Sequence, residues 1–120
     1  MIMTRRVPKP WGEEIIFALT DRYAGKILTI RKGESLSLQY HVKKDETIFL
    51  QAGSLKLILG VEGRMEERIL SPGMAQHLPP GTRHQMIALE DSTVVEASTP
   101  ELDDVVRLQD RYGRAGTSAP

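Results

Sequence analysis

The stretch SLQYHVKKDETIFLQAG, residues Ser37–Gly53, decides the fold class. Leu36, Leu38 and Tyr40 alternate with Ser37, Gln39 and His41, a period of two that belongs to a β-strand. Ile48–Leu50 form an apolar run that stops at Ala52-Gly53, and a tight reversal through Val42–Asp45 joins the two segments. One face of the first strand carries Gln39 and His41, and Glu46 opens the second strand, where it can face them. A half-buried strand with an amide, an imidazole and a carboxylate so close together calls for something that binds them.

Outward from this stretch the chain reads as short strands broken by glycine. Ile15–Leu19 and Lys26–Arg31 precede it, with Gly25 and Gly33 as punctuation. Leu55, Leu57 and Leu59 alternate beyond it, Gly60–Arg64 reads as a hairpin connection, and Met65–Leu70 follows. Ser71-Pro72-Gly73 and Pro79-Pro80-Gly81 are turns, and Gln85–Leu89 and Thr93–Ala97 complete the strands. Only Leu102–Tyr112 suggests a short helical segment. Many short strands at even spacing predict a β-sandwich or barrel.

Composition limits the function classes. The 120 residues hold 16 Lys+Arg and 16 Asp+Glu, giving a formal net charge of zero. That balance supplies no basic field for a phosphate backbone, so nucleic acid is not an expected partner. There is no cysteine, which excludes disulfides, thiolate metal sites and cysteine nucleophiles and fits a reducing cytoplasm. No segment approaches the roughly 20 apolar residues of a membrane span, and the N-terminus has no run of signal-peptide length. The expectation is one soluble, cytoplasmic domain over 1–114, with 115–120 as a small, polar, frayed tail.

Two spacings organise the candidate site. From Gly33, five residues lead to Gln39, one to His41, four to Glu46 and six to Gly53. From Gly73, five residues lead to Pro79, one to Gly81 and two to His84. Two imidazole nitrogens, a carboxylate oxygen and an amide oxygen suit a borderline divalent ion, with positions left open for water or substrate. Taken singly, each of these residues is more simply a polar side chain on a solvated strand face. The joint pattern, with both turns in register, argues otherwise.

These two stretches resemble the two cupin motifs, with Gln39 standing where the first histidine usually stands. Within that family SLQYH resembles the SLQxH of phosphomannose isomerase. PWG at Pro10–Gly12 and RYGR at Arg111–Arg114 resemble the ends of the isomerase-type cupin domain of bifunctional mannose-6-phosphate isomerase/mannose-1-phosphate guanylyltransferases. The resemblance covers roughly residues 8–114. It implies a double-stranded β-helix, a jelly-roll-like barrel, holding one divalent metal ion (zinc, manganese, iron, nickel or cobalt) on Gln39, His41, Glu46 and His84. It departs from the family at Lys43 and Thr47, where a histidine is common, at Ile48, commonly aromatic, and at Ala88, commonly asparagine. The Glu96–Arg107 segment is shorter than in the bifunctional enzymes, and these 120 residues are too few to include a nucleotidyltransferase domain beside the barrel.

The resemblance implies a metal-dependent isomerase acting on a small polar substrate such as a sugar phosphate. Candidates for the base are His77, Lys26 and Glu96, and candidates for binding the substrate are Lys26, Arg107 and Arg111. The arginines are interleaved with Asp103, Asp104 and Asp110, so surface ion pairs are an equal reading. Trp11 is read as packing a strand edge or a dimer contact, with ligand stacking the lesser alternative, and Lys43-Lys44 as a solvated reversal or, secondarily, an anion-attracting rim. A facial triad of His41, His84 and Glu46 on non-haem iron is the second enzymatic reading, and a non-catalytic small-ligand barrel the third. Open jelly rolls have edges to protect, so a homodimer is expected.

Overall fold

The computed structural model describes residues 4–110, 112–113 and 116–117, and these form an all-β fold. The strands are β1 (Arg5–Lys9), β2 (Gly12–Leu19), β3 (Ala24–Ile30), β4 (Leu38–Tyr40), β5 (Glu46–Ala52), β6 (Leu55–Val61), β7 (Arg64–Leu70), β8 (Ala75–Leu78), β9 (Arg83–Ala88), β10 (Ser92–Ser98), β11 (Val106–Gln109) and β12 (Gly116–Thr117). They make two six-stranded antiparallel sheets, ordered β1-β2-β3-β10-β5-β8 and β12-β11-β4-β9-β6-β7. Neighbours far apart in sequence, such as β3 with β10 and β4 with β9, lock the two ends of the chain together. Among the described residues no helix is long and apolar enough to cross a membrane.

Turn chemistry shapes the connections. β6 and β7 pair from Leu55↔Leu70 to Val61↔Arg64 around Glu62-Gly63, the hairpin expected from the sequence, with Gly63 at φ +77°. Gly53 ends the first motif at φ +98°, and a Cβ there would stand 2.4 Å from both the Asp91 carbonyl and the Ser92 hydroxyl. Only glycine satisfies both the conformation and the contact.

The expected helix over Leu102–Tyr112 is corrected. Val106–Gln109 is a strand, paired with β4 through Val106↔Tyr40 and Arg107↔Gln39. Val105 and Arg107 turn inward while Val106 and Leu108 are half-buried, a period of two. The open edge of β4 offers backbone partners that outweigh a weak helical propensity. Part of the expected tail is also sheet, since Gly116 pairs with Arg107 on β11. Strand β1 stands outside the strands read from the sequence; it lies at a sheet edge, where its Pro8 is tolerated.

The interior has a polarity gradient. Inward positions run Ile30, Leu28, Lys26 along β3; Leu50, Ile48, Glu46 along β5; Ala88, Met86, His84 along β9; and Val94, Glu96 along β10. Registers such as Lys26↔Glu96, Glu46↔Ser98 and Gln39↔His84 bring the polar ends together. The other end is a close-packed core in which Ile30, Ile48, Leu50, Leu55, Leu57 and Val94 are wholly buried. Core packing thus provides a rigid floor for a charged chamber.

Candidate metal centre

Three side chains from two sheets converge at the polar end. Glu46 Oε1 lies 3.2 Å from His41 Nε2 and 3.0 Å from His84 Nε2. One ligand atom from each of the three falls within 4.8 Å of the others. The imidazole rings stand 5.2 Å apart at their centroids, tilted by 47°. All three residues are buried.

The opposite ring nitrogens fix these orientations. His41 Nδ1 is 2.5 Å from the Asp104 carbonyl and His84 Nδ1 is 3.0 Å from the Thr82 carbonyl. Each Nδ1 therefore donates its proton to a backbone oxygen, and each Nε2 is left facing Glu46, as a lone pair when the ring is neutral. This is the outer-shell arrangement of metal-bound histidine. His84 Nε2 is buried and, though close to Glu46, is not aligned for a hydrogen bond. A nitrogen set deep in the protein without a directed partner, facing a carboxylate, fits a divalent cation well.

Glu46 also faces Lys44, whose Nζ is 3.2 Å from Glu46 Oε2 and 3.0 Å from Glu96 Oε2. Burial would raise the Glu46 carboxyl, but the His41 and His84 imidazoles beside it and the Lys44 charge hold it well below its usual range. Burial would lower His84, yet Glu46 raises it above the ordinary imidazole value. Lys44 is likewise raised, because Glu96 and Glu46 overcome its desolvation. Glu96 moves up, through burial first and then the Glu46 charge.

A cavity of about 50 Å³ opens beside the cluster, lined among others by Gln39, Lys26, Glu96 and Arg107. Lys26, Glu96 and Arg107, candidates for the base or for substrate binding, thus line one cavity with Gln39, His41 and Glu46. Lys26 is ion-paired to Glu14 at 2.9 Å, with both buried. Gln39 is opposite His84 in register, and its Oε1 accepts a 2.6 Å hydrogen bond from Ser37.

Other expected positions fall elsewhere. His77 is exposed on the edge strand β8 and pairs with Asp45 at 2.6 Å, outside this cavity. Trp11 is in the core and lines the cavity, which corrects the reading of it as a strand-edge or dimer contact. Lys44 is only 4% exposed, so the solvated reversal holds for Lys43 alone. Arg111 and Arg114 lie outside the described residues. Sequence reasoning missed Lys44 and Glu14. The signal for Lys44 was its position two residues before Glu46, which gives it the same face once the strand begins.

Asp104 clasps the mouth of the site. Its carboxylate accepts the backbone N–H groups of Val42 (3.0 Å), Lys43 (2.6 Å) and Lys44 (2.8 Å), while its carbonyl holds His41. These N–H groups hold the Asp104 carboxyl below its ordinary 3.8, although its slight burial acts the other way. Its contribution to stability is thus present above pH 3.8 and lost as pH falls through the lower folded-state value. Asp104→Asn is expected to cost about 1–2 kcal/mol at pH 7. Urea unfolding should find that gap closing as pH falls below 3.8; a gap that stays constant with pH contradicts this role.

A double-sheeted antiparallel barrel with a His–Glu–His cluster at one end of its core defines the class. The chain belongs to the cupin family, whose cupin-domain model (Cupin_2) matches residues 26–98. It is 35% identical over 115 residues to the mannose-1-phosphate guanylyltransferase of Escherichia coli (strain K12), covering 92% of this chain and 23% of that protein. Identity is 32% over 118 residues with the Salmonella montevideo protein of the same name, covering 94% and 24%. The chain thus spans less than a quarter of the length of these curated relatives. The solved structure of KdgF from Halomonas sp. superposes with a TM-score of 0.71 at 29% identity, over 82% of this chain and 88% of that one. Oxalate decarboxylase from Bacillus subtilis shares the fold, with a TM-score of 0.75 at 18% identity over 88% and 30%.

Proposed function

We propose that this protein is a metal-dependent cupin that isomerises a small phosphorylated sugar, in the manner of mannose-6-phosphate isomerase. The observation that carries this is one cavity lined by His41 and Glu46 of the His–Glu–His cluster, by a buried carboxyl with raised proton affinity, and by inward-facing cations. Similarity to the mannose-1-phosphate guanylyltransferases over nearly the whole chain supports a sugar-phosphate substrate.

His41, Glu46 and His84 would hold the ion, with Gln39 on the adjoining wall as a further ligand. A bound divalent ion supplies Lewis-acid polarisation of substrate oxygens. Glu96 takes the proton from one carbon of the hydroxy-carbonyl pair and returns it to the other, while a second proton passes between the two oxygens. Its raised proton affinity suits it to both halves of the transfer. His77 lies outside the cavity and Lys26 is paired to Glu14, so Glu96 is the better base. Lys26 and Arg107 offer charge to a phosphate or carboxylate. About 50 Å³ holds only a few waters. A hexose phosphate therefore requires this cavity to widen before it reaches the cluster.

Metal-loaded protein is expected to interconvert mannose 6-phosphate and fructose 6-phosphate in a coupled assay. Glu96→Gln should lower kcat by about 10²–10⁴-fold while metal content is kept. Absence of turnover with bound metal overturns the isomerase reading. Oxygen uptake with iron(II) would replace it with the oxygenase reading, and ligand-dependent thermal shifts alone would leave a binding barrel. We also propose that the protein acts in the cytoplasm as a homodimer, a reading supported by the open edge at β1; a monomer mass by light scattering contradicts the latter.

A further inference from the structure

We propose that Lys44 determines which metal the site prefers, by holding Glu96 out of the ligand set. The inference rests on the metal reading of the His41–Glu46–His84 cluster. Glu46 on β5 and Glu96 on β10 point into one chamber from adjacent strands, with Glu96 opposite Ile48 in register and Ser98 opposite Glu46. Two buried carboxylates beside a divalent cation would ordinarily both turn towards it. Here a single ammonium takes one oxygen of each, at 3.2 Å from Glu46 Oε2 and 3.0 Å from Glu96 Oε2. Glu46 Oε1 is left facing both histidine Nε2 atoms.

Lys44 is well fixed for this task. It is buried, and its backbone N–H is tied to the Asp104 carboxylate at 2.8 Å. Its side chain is thus set between the two acids from the loop side. The protein ligands then comprise two imidazole nitrogens and one carboxylate oxygen, with Gln39 as the neutral addition. Such a set favours nickel, cobalt, zinc or iron, whereas a second carboxylate moves a site towards the harder manganese ion. Lys44 is a positioning residue: it acts on the metal through Glu96, which it holds away from the ion.

The test compares manganese(II) and nickel(II) dissociation constants, by chelator competition at one pH, together with the visible spectrum of the cobalt(II) form. Lys44→Met removes the ammonium but keeps the side-chain length. It is expected to shift the ratio of constants towards manganese by about tenfold or more. It should also weaken the cobalt absorption as coordination number rises. Adding Glu96→Gln to Lys44→Met should return both readouts to wild-type values. Glu96→Gln alone keeps Lys44 paired to Glu46, so it should change neither readout and stays informative if Lys44→Met does not fold. An unchanged ratio and spectrum in folded Lys44→Met overturns the proposal, as does a shift that survives the added Glu96→Gln. Weaker manganese binding in Glu96→Gln alone also overturns it, because Glu96 would then already be a ligand. Wild-type protein that binds neither ion overturns both this inference and the metal reading beneath it.

Discussion

His84→Ala is expected to weaken divalent-metal binding by about 100-fold or more, the upper end of what removal of even an outer-shell partner costs. His84 is set for one purpose by its surroundings. Its Nδ1 is committed to the Thr82 carbonyl, its ring is buried, and its Nε2 faces Glu46 with no aligned partner. Alanine at this position leaves His41 and Glu46 as an incomplete pair. Isothermal titration with cobalt(II) or zinc(II) checks it. His77→Ala provides the comparison, since His77 is exposed and outside the cavity, and its binding should match wild type. Equal binding by His84→Ala and wild type would place the metal elsewhere.

The second large effect is on stability. Lys26→Met removes the ammonium paired with buried Glu14, and the loss expected from breaking such a pair is about 3–5 kcal/mol. The two groups are 2.9 Å apart, both buried, on adjacent strands β2 and β3. Replacing both, as Glu14→Leu with Lys26→Met, should recover most of that loss, since a buried ion pair is often no better than a packed apolar pair. Urea denaturation of the four proteins gives the coupling energy. Additive losses would mean that the pair is not a unit. The same double variant separates structure from function: if Lys26 also binds substrate anion, KM rises in a folded protein whose stability is restored.

The strands were legible because their apolar positions keep a strict period. Leu55, Leu57 and Leu59 are all inward, and so are Ile48 and Leu50. The convergence of His41, Glu46 and His84 was legible because polar residues at strand period, framed by Gly33, Gly53, Gly73 and Gly81, make little sense on a solvated face. What the chain did not reveal depends on long-range pairing. The segment Val105–Gln109 is a strand only because β4 lies beside it, and residues more than sixty positions apart supply that edge. Lys44 reads as solvent-exposed inside Lys-Lys-Asp-Glu until its two acids are seen to come from β5 and β10. Glu14 is similar, since its meaning comes from Lys26 on the neighbouring strand.

The placement of the metal is the claim on which the rest stands. Crystals of the protein grown with cobalt(II), with diffraction recorded on both sides of the cobalt absorption edge, test it most directly. A single anomalous peak about 2.0–2.2 Å from His41 Nε2, His84 Nε2 and Glu46 Oε1 is the predicted result. A fully loaded protein whose anomalous peak lies on other residues, with this cluster unchanged, would contradict it.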